Sequence, residues 1–103
     1  MNACEEKITD LREAIKAVAV LDASSGVPQY VYVIEECSEL IKELMKQQRR
    51  KDCEKDILAE ACDVLTTVFI MLEQHGVTED FVREMILYKC NRALSRFKKS
   101  GEV

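Results

Sequence analysis

Glu35, Glu36, Glu39, Glu60 and Asp63 have the types and the spacing that hold a hard cation. In Glu35-Glu36-x-x-Glu39 the last two glutamates are three residues apart, and Glu60 and Asp63 repeat that interval. Side chains three apart are neighbours on one face of a helix. On a wheel of about 100° per residue, Glu36 and Glu39 border an apolar stripe, while Glu35 lies further round. Two such helices packed antiparallel would each present a carboxylate pair at their seam. Without a cation the carboxylates would repel one another and acquire raised pKa values. Around a divalent ion the same oxygens form a hard-ligand site suited to Mg²⁺, with Mn²⁺ as a substitute.

A plainer reading stands beside this one. The pattern E-E-x-x-E is common on solvated helix faces, and alone it signals little. Glu60 and Asp63 are harder to dismiss. They interrupt the stretch ILAEACDVLTTVFIML, residues 57–72, which is apolar on nearly every side and contains no Lys or Arg. A helix apolar all round should be buried, either centrally in the bundle or in a subunit interface, and removing an unpaired carboxylate from water costs on the order of several kcal/mol. Something positive must come from elsewhere.

The elements that would position these groups follow from the apolar spacing, which predicts an all-α, four-helix bundle-like protomer. The first helix is expected from about Glu5 to Leu21, with Ile8, Leu11, Ile15, Val18 and Leu21 on one stripe, ended by Asp22-Ala23-Ser24-Ser25-Gly26. Pro28 fits the first turn of the second. That helix carries Tyr30, Val33, Ile34, Cys37, Leu40, Ile41, Leu44 and Met45 on one face and gives way near Arg49-Arg50-Lys51. A third runs from about Lys55 to Gln74 and is stopped by Gly76. Thr78 can cap a fourth, with Glu79 and Asp80 at its positive end and Phe81, Val82, Met85, Ile86, Cys90, Ala93, Leu94 and Phe97 on its apolar side.

Composition narrows the function. A chain of 103 residues allows one domain, here 1–103, and its core is marginal enough that an oligomer is expected to help. A net charge of −4, with no Trp, speaks against nucleic acid as a partner. No apolar run approaches the roughly 18 residues of a membrane span, and the acidic start lacks the form of a signal peptide. The cysteines at 4, 37, 53, 62 and 90 form no C-x-x-C pair. They read as reduced, mostly packed thiols of a cytoplasmic protein. His75, the lone histidine, has no nearby Cys, so a zinc site is not expected.

E-E-x-x-E followed about twenty residues later by E-x-x-D resembles the signature of the MazG-like all-α nucleotide pyrophosphohydrolases, which include the dimeric dUTPases. The likeness runs from about Gly26 to Phe97, with the helices in the same order. It implies Mg²⁺-dependent cleavage of a nucleoside triphosphate to monophosphate and pyrophosphate, in a homodimer or homotetramer with sites near the interface. Carried onto this chain, it makes Glu36, Glu39, Glu60 and Asp63 metal ligands, and Glu35 a ligand-supporting or water-orienting group. Glu39 or Glu35 would take the proton of the attacking water. Tyr88-Lys89-Cys90-Asn91-Arg92 resembles the family's phosphate-facing element, and Lys89, Arg92 and Arg96 share one stripe. Basic residues near a helix C-terminus also arise simply from the dipole, which accounts for Lys98 and Lys99. Lys42 reads as a solvated partner of Glu39 or Glu43, and Tyr30, Tyr32 and Tyr88 as packing residues. Phosphoribosyl-ATP pyrophosphatase belongs to the same superfamily, but its glutamates usually follow Lys and Gly where this chain has Val33-Ile34. A non-catalytic helical binding or regulatory dimer is the alternative from a different class.

Overall fold

The computed structural model describes residues 7–49 and 52–99. Among these residues there are four helices and no strand: α1 (Leu11–Ser24), α2 (Gln29–Gln48), α3 (Glu54–Gln74) and α4 (Glu79–Lys99). No helix of the described residues is long and apolar enough to cross a membrane.

The first helix starts later than the apolar spacing suggests. Asp10 caps it, accepting hydrogen bonds from the backbone N–H groups of Arg12 and Glu13, and Lys7 to Asp10 are not helical. The expected start at Glu5 lies outside the described residues. An Asp with a Glu three positions on is a start signal in its own right, and it overrides the fit of Ile8 to the apolar stripe. Pro28 sits at the N-cap of α2 rather than inside its first turn. α3 and α4 begin and end close to expectation. Gly76, at φ +69°, ends α3 with a left-handed residue that only glycine adopts without strain. Thr78 Oγ1 caps α4 by accepting from the Phe81 N–H at 3.1 Å.

α2 and α3 form an antiparallel pair. At one end the Gln29 amide donates to the Thr67 carbonyl at 3.3 Å, and at the other the Cys53 N–H donates to the Gln47 side-chain oxygen at 3.0 Å. α1 packs on α3 near the first of these ends, where Gln74 Nε2 donates to the Ala19 carbonyl at 3.1 Å and reaches Gln29 Oε1 at 3.4 Å. Ala19 is small enough to let the two backbones come close, and it is buried together with Ile70 of α3. The face of α1 turned inward therefore centres on Ile15 and Ala19, and Leu11 and Leu21 of the expected stripe remain exposed.

Burial within the protomer is partial. α3, expected to be covered in the bundle or in a subunit interface, is not enclosed by the other three helices: Leu58, Leu65 and Phe69 are exposed. The apolar face of α2 is also open, with Ile34 58% and Ile41 59% exposed. The cause is α4, which does not join the other three helices. Its first turn touches α1 through Arg12 and Glu79 at 3.4 Å, and every described residue of α4 except Val82 is exposed. The molecule is accordingly extended. Its radius of gyration is 17.7 Å, against about 13 Å for a compact domain of this length. Its accessible surface is 8564 Å², against about 5,900 Å² for a compact monomer of this mass.

Candidate metal centre

Three of the acids meet where α2 faces α3. One carboxylate oxygen from each of Glu36, Glu60 and Asp63 lies within 4.8 Å of the other two. The helices bring them together by their spacing: Glu60 and Asp63 are one turn apart on α3, and Glu36 lies opposite them on α2. Oxygens sharing one Mg²⁺ at about 2.1 Å lie no more than about 4.2 Å apart, so small side-chain rotations close the set. Nothing but carboxylate oxygen is offered, which is the donor chemistry that Mg²⁺ and Mn²⁺ select.

The electrostatics of the site are those of like charges held together. Desolvation raises the pKa of Glu36 above its ordinary 4.5, followed by the charges of Asp63, Glu39 and Glu35. Desolvation likewise raises Glu60, followed by Asp63, Glu36, Glu39 and Glu43. No cation pairs with Glu36, Glu60 or Asp63 among the described residues. Glu36 and Glu60 are half-buried and Asp63 is exposed. The desolvation cost is therefore smaller than a fully apolar third helix would have imposed.

The remaining expected residues stand apart. Glu39 is outside the three-oxygen group and pairs with Lys42 at 3.6 Å, the solvated pairing foreseen for that lysine. Glu35 is exposed and lies outside the three-oxygen group, though its charge still bears on Glu36. Lys89, Arg92 and Arg96 lie on α4, away from the acids. Arg92 stacks over the Tyr88 ring at 5.9 Å, while Lys89 and Arg96 make no ion pair among the described residues. Cys53 is buried and Cys37 half-buried, but Cys62 and Cys90 are exposed thiols, contrary to the packed role expected for most of them. Cys4 lies outside the described residues.

Sequence reasoning passed over Glu43. It is only 9% exposed, one turn beyond Glu39 on the same face of α2. Its Oε2 accepts from Lys46 Nζ at 3.1 Å, while Oε1 is buried with no hydrogen-bond partner. The signal was present, because Glu36, Glu39 and Glu43 follow the i, i+3, i+7 course of a single helix face. The nearby lysines disguised it as a surface ion pair.

Comparison with protein-family models, curated proteins and solved structures found no match to this chain.

Proposed function

We propose that this chain is a Mg²⁺-dependent nucleoside triphosphate pyrophosphohydrolase that works as a homodimer or homotetramer in the cytoplasm. The observation that carries the reading is the convergence of Glu36, Glu60 and Asp63 with no cation to neutralise them. The sequence pattern of E-E-x-x-E and E-x-x-D, which resembles the MazG-like enzymes, supports it from the other side. Free thiols at Cys37, Cys53, Cys62 and Cys90 accord with a reducing compartment.

Glu36, Glu60 and Asp63 would hold the ion, with Glu39 joining them by leaving Lys42. When bound, Mg²⁺ supplies charge neutralisation at the phosphates and lowers the pKa of a coordinated water. Glu39, which neighbours the three acids on α2, or Glu35 would orient the attacking water and accept its proton. Lys89, Arg92 and Arg96 offer positive charge for the pyrophosphate leaving group. No protein nucleophile is required.

The test is a panel of all NTPs and dNTPs with Mg²⁺, scored for pyrophosphate and nucleoside monophosphate. Their release in equal amounts from at least one substrate is the expected result. Release of inorganic phosphate alone rejects the pyrophosphohydrolase reading in favour of another phosphohydrolase, and no turnover across the panel leaves the non-catalytic helical dimer.

A further inference from the structure

Where α1, the end of α3 and the start of α4 meet, they leave an open cavity of about 670 Å³. Pockets that hold small organic ligands span about 300–1,000 Å³. The body of the cavity is walled by Ile15 of α1, Phe69 and Leu72 of α3, Val77 of the connection, and Val82 and Ile86 of α4. All but Phe69 are aliphatic. Phe69 and Leu72 lie about 120° or more round α3 from Glu60 and Asp63. The cavity therefore opens on another flank of that helix, apart from the candidate metal centre.

Its rim is charged. Arg12 Nη1 lies 3.4 Å from Glu79 Oε2, and Arg83 Nη2 lies 3.6 Å from Glu79 Oε1. One carboxylate thus bridges two guanidiniums, an oxygen to each, at distances longer than the about 2.7–2.9 Å of a strong charge-assisted hydrogen bond. Lys16, also on the rim, is one turn on from Arg12 along the same side of α1 and makes no ion pair among the described residues. The acids of the rim leave this cation group open. Asp10 is held by the backbone N–H groups of Arg12 and Glu13, and Glu73 stands on the α3 side. An anion is therefore favoured between α1 and α4 and disfavoured against α3. A nucleobase or sugar would need polar partners along its edges. Of the uncharged side chains in the wall only Thr78 could serve, and its Oγ1 already accepts from the Phe81 N–H.

We infer that this cavity binds a free fatty acid. The chain lies against the aliphatic walls, and its carboxylate sits among Arg12, Lys16 and Arg83, in the place that Glu79 takes when the cavity is empty. The assignment is independent of the hydrolase reading.

Calorimetric titration of the full chain with decanoate tests it, beside 1-decanol, which has the same tail without the charge, and 2-naphthoate, which has the charge on an aromatic body. Decanoate should saturate one site per chain and bind at least about tenfold more tightly than decanol, the scale of hydrogen bonds to a charged group. Naphthoate should bind more weakly than decanoate. Arg12→Ala combined with Lys16→Ala, both on the exposed side of α1, should bring decanoate down to the level of decanol. Glu79→Gln should tighten decanoate severalfold by removing the competing carboxylate, and Val82→Trp should block the cavity. Asp63→Asn should leave binding unchanged. Absence of saturable binding overturns the inference, whether the cavity stays empty or a second copy fills it. Equal affinity for decanol, or full affinity in the Arg12/Lys16 double variant, shows that no carboxylate is read at the rim and overturns it as well. Tighter binding of naphthoate overturns the fatty-acid assignment, and loss of binding in Asp63→Asn overturns the location.

Discussion

Gln29 and Thr67 are joined across the helix pair, the Gln29 side-chain amide donating to the Thr67 carbonyl at 3.3 Å. Because the helices run antiparallel, seven residues onward from Gln29 and seven back from Thr67 lead to the same level, about 10 Å away. Those residues are Glu36 and Glu60. A buried amide therefore sets the register that brings two carboxylates together without a cation.

That convergence predicts a strong response to divalent ions. At about 100 times its Kd, Mg²⁺ stabilises the folded state by about 2.7 kcal/mol, which for a domain of this size raises Tm by roughly ten degrees or more. Melting curves at fixed protein concentration, with Mg²⁺, with Mn²⁺ and with EDTA, measure it. Curves that coincide in all three conditions would remove the metal from the account.

Asp63→Asn keeps the shape of the side chain and removes one of the mutually repelling charges. Turnover should fall by at least about a hundredfold, the scale on which removing a preorganised charge-stabilising group acts. The metal-free variant should melt no lower than the wild type and should lose most of the shift with Mg²⁺. Glu36→Gln should behave in the same way. Near-full turnover in both variants would show that the site has been misassigned.

The raised carboxyls of Glu36 and Glu60 also fix the direction of the pH dependence. Both groups bind protons more tightly in the folded chain than at their ordinary value of 4.5. Between that value and the raised ones the folded state carries more protons than the unfolded, so stability of the metal-free protein falls as pH rises. Acidification towards 4.5 restores it, and Mg²⁺ affinity weakens over the same range. Urea midpoints across this window check the trend, and Asp63→Asn should flatten it. A slope that Asp63→Asn leaves unchanged would assign the pH dependence to other groups.

Glu43 gives a fourth prediction. Replacing a poorly satisfied buried ion pair by an apolar side chain of similar volume is often neutral or stabilising. Glu43→Met removes the orphaned Oε1 and frees Lys46, which is already part-exposed. The expected change is a rise in the metal-free Tm of a few degrees, about 1 kcal/mol or less. A clear loss of stability would instead make the Glu43–Lys46 pair an anchor between α2 and the start of α3.

Helix number, order and most boundaries were legible in the sequence because caps, glycines and apolar spacing act locally. Thr78 and Gly76 do what their types require. The start of α1 was misread because Ile8 extended an apolar pattern past the Asp10 cap. The spacing that groups Glu36 with Glu60 and Asp63 was also legible. Which helices meet was not, since an apolar stripe says that a face will be covered and not by what. Ile34 and Leu65 belong to such faces and remain exposed in the single chain. Lys89 shows the same gap for the site: its place on α4 could be read, but its distance from the acids could not.

Gly76 has a mechanical consequence. It starts the short connection from which α4 extends for 21 residues, a rod of about 30 Å. Lys89 lies about 15 Å along it, so tilting the rod by about 10° at the connection carries that amine through roughly 3 Å. A displacement of that size separates a phosphate contact from none. The turn therefore works as the fulcrum of a lever, and aim at its far end has to be imposed by whatever clamps the rod. If the proposed hydrolase is a homo-oligomer whose contacts clamp the rod, dilution should act like a mutation, and activity should fall more steeply than in proportion to protein; strict proportionality would put the clamp within the single chain.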